Sequence, residues 1–367
     1  MVMSEYTELL DQLIATPSIS REEEATANLL ESFLRAHGVV EVNRLYNNVW
    51  AKAAVWDDAK PTLLLNAHHD TVKPNQAYTR DPFHATHEDG RIYGLGSNDD
   101  GASLVSLIAT FLHYYHQPLH FNLLLALTAE EEVTGVNGSR ALIPYLTSHL
   151  SPHSSLLSPL SMGIVGEPTK MQCAIAERGL MVLDGLAMGK AGHAARNEGI
   201  NALYIALDDI NRLRNYTFEK ESAELGPIKV TTTQINAGTQ HNVVPAECRF
   251  VVDVRTTDAY TNEEVAAMLQ KETQSTLTPR STHIRASAID RQHPLVQTAE
   301  DMGIQLFTSP TTSDQSQMPF PTIKMGPGDS ARSHTADEWV GEQEIADAIK
   351  QYIAFISNLN IKYETLG

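Results

Sequence analysis

The sequence predicts an α/β protein: a mostly parallel sheet covered by helices, interrupted by a smaller α+β segment. Short apolar runs alternate with stretches whose apolar residues fall at helical spacing, the pattern of a doubly covered sheet. Several of those runs end in ligand-type residues, and ligands bind beyond the carboxyl ends of strands in such sheets. From about Arg178 the order changes to β-α-β-β-α-β, and the first pattern then resumes.

Residues 5–15 and 22–36 carry apolar side chains at helical spacing (Leu9, Leu10, Leu13, Ile14; Ala25, Leu29, Leu30, Phe33, Leu34), broken by Thr16-Pro17 and ended by His37-Gly38. Asn48–Val55 and Thr62–Asn66 read as strands, the second running into His68-His69-Asp70. After a loop rich in Pro, Asn and His comes GLGSNDDG (94–101), then a helix, ASLVSLIATFLHYY. Phe121–Leu127 is short and apolar enough to be a strand buried on both faces, and Glu130, Glu131 and Glu132 follow it at once. Residues 139–150 predict a helix, 150–159 a Ser/Pro-rich loop, and 162–168 a further strand that ends at Glu167.

In the insert, Leu180–Met188, Ile228–Ala237, Glu247–Arg255 and His283–Ile289 predict strands, with helices at 200–214 and 261–274. Beyond Pro294 come a helix (295–303), an apolar segment ending in Gly326-Pro327-Gly328, the stretch Ser333–Glu338, and a closing helix over 342–358. No internal repeat or low-complexity tract is present.

The formal net charge of −18 disfavours nucleic acid, anionic membrane and polyphosphate partners, which need a basic footprint. Two cysteines, Cys173 and Cys248, make neither a disulfide framework nor a thiolate zinc site and fit a reducing compartment. The polar, amphipathic N-terminus is unlike a signal peptide, and no apolar run approaches ~20 residues. The expectation is a soluble cytoplasmic protein.

An isolated run of three glutamates reads as a solvated turn, and two histidines at a strand end as surface residues. Gly94-x-Gly96 hints at a dinucleotide loop, but Asp99 and Asp100 would repel a pyrophosphate. Taken together, His68, Asp99, Glu131, Glu132, Glu167 and His334 offer imidazoles and carboxylates at turns after predicted strands. That inventory suits two borderline divalent cations about 3.5–4 Å apart, which need anionic ligands to offset their repulsion. One carboxylate must stay uncoordinated to move protons, and a tandem Glu-Glu supplies a ligand and a base side by side. Asp70, two residues after His68, is spaced to accept from the far ring nitrogen and fix the tautomer.

The segments NAHHDTV, GLGSNDDGA, TAEEE, VGEPT, GHAAR, NVVPAECRFVVDVR and GPG…SHTADE, in this order, resemble the M20 metallopeptidase family of co-catalytic zinc amidohydrolases. The likeness is closest to its acetylornithine deacetylase and succinyl-diaminopimelate desuccinylase group. It implies a zinc-peptidase-like catalytic domain (1–177 and 290–367) and a ferredoxin-like lid and dimerisation domain (178–289). It implies His68, Glu132, Glu167 and His334 as ligands of two divalent ions, zinc first with cobalt or manganese as alternatives, and Asp99 as the bridge. Glu131 would be the general acid/base and Asp70 the partner of His68, and the Asp99–Asp100 peptide would be cis.

His193 matches a histidine that polarises the scissile carbonyl in a neighbouring subunit of a homodimer, and Asn242 and Arg255 match substrate-contacting positions. Arg178 or Arg255 would pair with a substrate carboxylate, Arg255 being equally readable as half of a structural ion pair, and Gly326 and Gly328 would let backbone approach the substrate. Three departures stand out: the lysine usual after the bridging aspartate is absent, His69 intrudes between His68 and Asp70, and Lys73 separates Val72 from Pro74. The implied reaction is hydrolysis of an N-acyl amino acid, N2-acetylornithine or an acylated citrulline in arginine biosynthesis, ahead of succinyl-diaminopimelate and then small peptides. A non-catalytic metal-binding scaffold is the reading from another class, and such a scaffold has no need of Glu131.

Overall fold

The computed structural model describes residues 3–150, 160–196 and 198–366; most of the segment expected as a Ser/Pro-rich loop lies outside them. The chain divides into two compact units, one of Met1–Ile175, Ile289–Phe307 and Ser313–Gly367, the other of Ala176–Ala288 with Thr308–Thr312.

The first unit begins with α1 (Met3–Ile14) and α2 (Glu24–Ala36), then β1 (Val42–Leu45), β2 (Asn48–Lys52), β3 (Thr62–His68), β4 (Thr86–Glu88) and β5 (Arg91–Tyr93). It continues through α3 (Ala102–Tyr114), β6 (Asn122–Thr128), α4 (Ser139–His149), β7 (Met162–Val165) and β8 (Cys173–Glu177). The second unit holds β9 (Gly179–Met188), β10 (Gly192–His193), α5 (Ala202–Asn215), β11 (Lys229–Ala237), β12 (Val243–Val244), β13 (Glu247–Thr256), α6 (Asn262–Lys271), β14 (Thr276–Pro279) and β15 (Ser287–Ala288). Then come α7 (Pro294–Asp301), β16 (Leu306–Ser309), β17 (Thr322–Lys324), β18 (Trp339–Gly341) and α8 (Glu342–Leu366).

The centre of the main sheet is β6-β3-β7-β17, all parallel, with β2 antiparallel to β6 and β8 antiparallel to β17. β3 shows why the strands are apolar throughout. Leu63 and Leu65 pack in a cluster with α1, α3 and α8 on one face, and Leu64 packs with Leu142, Ile143 and Leu146 of α4 on the other. Each such leucine contributes roughly 1.5–3 kcal/mol on burial. β4, β5 and β18 form a small separate sheet in the stretch expected as loop, too short and mixed in composition to show a period.

In the second unit the sheet order is β11-β13-β9-β14, fully antiparallel. Met181, Leu183, Phe250, Val252 and Val254 pack with α5 and α6 residues Ala202, Ala206, Val265 and Leu269. The fourth strand is Thr276–Pro279, not His283–Ile289; from that segment Ser287 and Ala288 pair with β8, and Ile284 makes a single bridge to Leu180 of β9. The cause is Asp209, whose buried carboxylate accepts the N–H groups of Gln274 (3.1 Å) and Ser275 (2.7 Å) and the Ser275 hydroxyl (2.6 Å). That capture turns the chain after α6 and frees residues 276–279 to extend along β9.

Candidate metal centre

Three of the polar segments sit at or just beyond the ends of the parallel strands, His68 ending β3 and Glu131 and Glu167 following β6 and β7, and His334 comes from the longer connection between β17 and β18. Asp99 comes from the wide turn Ser97–Gly101 that leads into α3, and its peptide to Asp100 is cis. Neighbouring parallel strands end side by side, so residues distant in sequence meet there.

Asp99 lies between two histidines. His68 Nε2 is 3.2 Å from Asp99 Oδ1, and His334 Nε2 is 3.7 Å from Asp99 Oδ2. His334 Nε2 is also 3.0 Å from both Glu132 oxygens, and His68 Nε2 is 4.0 Å from Glu131 Oε2. Ligand atoms of His68, Asp99 and Glu132 all fall within 4.8 Å of one another, and so do those of His68, Glu131 and Glu167. Glu131 is therefore close enough to be a ligand as well as a base.

These side chains are held from behind. His68 Nδ1 donates to the Asp70 carbonyl (3.0 Å) and stands 3.4 Å from the Asp70 carboxylate, which turns Nε2 to the hollow. The Asp70 carboxylate accepts the Ser20 hydroxyl (2.7 Å) and the N–H groups of Glu131 (3.0 Å) and Glu132 (3.2 Å). His69 points away: its Nδ1 lies 2.9 Å from the Thr26 hydroxyl and its Nε2 3.0 Å from the Asn47 carbonyl, so the ring braces α2 against the β1–β2 turn. Burial then lowers its pKa to about 4, and it stays neutral. Glu130 is no part of the centre either; its carboxylate closes the loop on Asn137.

Sequence reasoning missed Glu338. Its buried carboxylate accepts the N–H groups of Gly96 (3.0 Å), Asn98 (3.0 Å) and Asp99 (2.8 Å) and so shapes the aspartate turn. The close approach made possible by Gly326 and Gly328 is to the protein's own ligand loops. A Cβ on Gly326 would lie 2.5 Å from the Glu167 carbonyl oxygen, and one on Gly328 (φ +84°) 2.4 Å from Asn98 Oδ1.

The remaining expected site residues lie in the second unit. His193 is exposed; its Nδ1 accepts from the Ala195 N–H (3.2 Å), which leaves Nε2–H as the ring's donor. Asn242 is exposed, and its carbonyl accepts from Ala194 (3.0 Å). Arg178 donates to the carbonyls of Pro227 (2.9 Å) and Leu225. Arg255 makes a two-pronged pair with Asp253 (2.8 and 3.1 Å), the structural arrangement. Both guanidinium groups are thus engaged inside their own unit.

Charge is crowded in the hollow. Burial first, then the charges of Asp314, Glu132 and Asp70, push the Glu131 carboxyl well above the usual range. Burial and the charges of Asp99 and Glu131 do the same to Glu167. Burial opposes charge on His68, yet its bonds to Asp70 and Asp99 outweigh that and raise it. The bond to Glu132 raises His334 to about 9. More negative charge converges here than the two histidines neutralise, and the donor set is that of hard-to-borderline divalent cations. The residues present fit such ions.

A family model described as Peptidase family M20/M25/M40 matches residues 64–358. The chain is 28% identical over 294 residues to a succinyl-diaminopimelate desuccinylase of Cereibacter sphaeroides, covering 76% of this chain and 75% of that one. It is 28% identical over 365 residues to an acetylornithine deacetylase of Erwinia tasmaniensis, covering 91% and 92%. Aminopeptidase PepT of Bacillus cereus has a similar fold, with a TM-score of 0.76 at 18% identity over 98% of this chain and 99% of that one.

Proposed function

This chain belongs to peptidase family M20/M25/M40 and is a metal-dependent amidohydrolase, and from that footing we propose that it removes the acyl group from an N-acylated amino acid, foremost N2-acetylornithine or an N-acylcitrulline. The observation that carries the reading is Asp99 with one oxygen toward each of two histidines, next to Glu131. Support for the substrate class comes from the two named relatives, both of which by name take an acyl group from an amino acid. They also make succinyl-diaminopimelate the second substrate to test.

In this reading His68 and Glu167 would hold one cation, Glu132 and His334 the other, and Asp99 both. Zinc, cobalt or manganese there would acidify water and polarise the scissile carbonyl. Glu131 takes the proton of the attacking water and passes it to the leaving amine as the C–N bond breaks. Asp70 keeps Glu131, Glu132 and His68 in register. From a neighbouring subunit, His193 would donate from Nε2 to the carbonyl oxygen as charge develops on it. Arg255 or Arg178 is the candidate for the substrate carboxylate.

We place self-association in the second unit, where β11 is an edge strand with Ile235 exposed and α5 exposes Tyr204 and Leu207. Light scattering reads it: a dimer is expected, and a monomer at micromolar concentration contradicts it. Among the described residues no helix is long and apolar enough to cross a membrane.

The deciding experiment measures kcat/KM side by side on N-acetylornithine, N-acetylcitrulline, N-succinylornithine, N-succinylcitrulline and succinyl-diaminopimelate, with a tripeptide as control. One acyl amino acid is expected to exceed the tripeptide by orders of magnitude. Preference for the tripeptide refutes the substrate class.

A further inference from the structure

The loop of residues 129–138 between β6 and α4 carries Glu131 and Glu132, and both its ends meet at one buried side chain. Thr128, the last residue of β6, donates its hydroxyl to Asp314 Oδ2 at 2.6 Å. Ser139, the first residue of α4, donates to Asp314 Oδ1 at 2.5 Å. Both hydroxyls donate, and each carboxylate oxygen accepts one of them. Asp314, Thr128 and Ser139 are all buried, so water does not compete for them. The Thr128 oxygen also accepts from Asn66 Nδ2 (3.0 Å), which orients the hydroxyl from the β3 side. Asp314 is presented by the short turn Asp314–Gln317, in which the Ser313 hydroxyl accepts the Gln315 N–H.

We propose that Asp314 is a positioning residue for hydrolysis, clamping both ends of the glutamate loop so that Glu131 is held in register with His68 and Asp99. The proposal rests on the reading of Glu131 as the acid/base. Asp314 is not among the clustered ligand atoms and bonds the residues at the two ends of the loop, Thr128 and Ser139; its charge also reaches Glu131, and Ser139→Ala separates the clamp from that charge. Proton transfer tolerates little misplacement, so a loop free at one end retains its ligands and loses turnover.

The test uses zinc-loaded Asp314→Asn, Asp314→Ala and Ser139→Ala chains, assayed on the acyl amino acid that the wild type turns over fastest. For Asp314→Ala, kcat is expected to fall about 10- to 100-fold while KM stays within about threefold and metal content is unchanged. Asp314→Asn keeps one accepting oxygen and recovers part of the loss, and Ser139→Ala falls between. Independently of activity, amide hydrogen exchange across residues 129–138 in the chelated chain rises in each variant. A kcat within twofold of wild type with unchanged exchange overturns the proposal, as does a kcat that falls only in proportion to lost metal. If Asp314→Ala does not fold, Ser139→Ala decides by the same two readouts. A wild-type chain that hydrolyses no acyl amino acid refutes the functional reading instead, and exchange alone then decides the clamp.

Discussion

Replacing Gly326 by alanine is expected to damage the centre from behind. The new methyl would lie 2.4 Å from Ser103 Oγ, 2.5 Å from the Glu167 carbonyl oxygen and 3.0 Å from the Glu167 nitrogen. Ordinary contact begins near 3.4 Å, so the Glu167 backbone must retreat by about 0.9 Å, a typical overpacking of about 1–3 kcal/mol. A shift of that size at a ligand lowers metal affinity about 10- to 100-fold and kcat/KM by about 100-fold. Urea unfolding, competitive zinc titration and steady-state rates read the three effects. Gly38→Ala is the control: φ there is +85° with nothing within 4 Å, so it suffers backbone strain alone, about 1–2 kcal/mol, with no change in metal affinity. Equal metal affinity in Gly326→Ala and wild type would refute the claim that this glycine sets the position of Glu167.

Glu131→Gln is expected to keep its metal and lose at least about 100-fold in kcat, because an amide cannot accept the proton; metal analysis beside a rate assay checks it, and loss of both together would make Glu131 a ligand. Chelation should abolish hydrolysis and added zinc restore it, so activity that survives complete metal removal counts against the mechanism. His87 bridges Asp11 (2.9 Å) and Glu342 (2.8 Å) through its two nitrogens, so both must carry protons. The Glu342 bond, with the Asp11 bond and charge, raises its pKa in the folded chain. The stabilisation is therefore complete below about pH 6.5, the ordinary value, and is lost as pH rises through the raised one. Melting of wild type against His87→Gln should show the largest gap near pH 6 and none well above it; a gap that grows with pH contradicts the bridge.

Much of the fold and the candidate centre was legible because both rest on local pattern. TLLLN and FNLLLAL are continuous apolar runs, and a strand buried on two faces leaves no other signature. The polar residues after them are conspicuous since carboxylates at a core's edge need a cation. Glu338 and Asp314 were illegible for the converse reason. Each is an acid buried by contacts 240 and 186 residues away in sequence respectively, and nothing beside it in the chain marks it. The fourth strand of the second unit was misplaced because Asp209, 65 residues earlier, decides where α6 stops. His69, which intrudes between His68 and Asp70 in the sequence, is turned away from the centre by the Thr26 hydroxyl and the Asn47 carbonyl.

Anomalous diffraction at the zinc edge, from crystals grown with excess zinc, asks most directly whether Asp99 joins two cations. Two peaks flanking its carboxylate, one beside His68 and Glu167 and the other beside Glu132 and His334, are the predicted result. A single peak, or peaks that leave Asp99 uncoordinated, contradicts it.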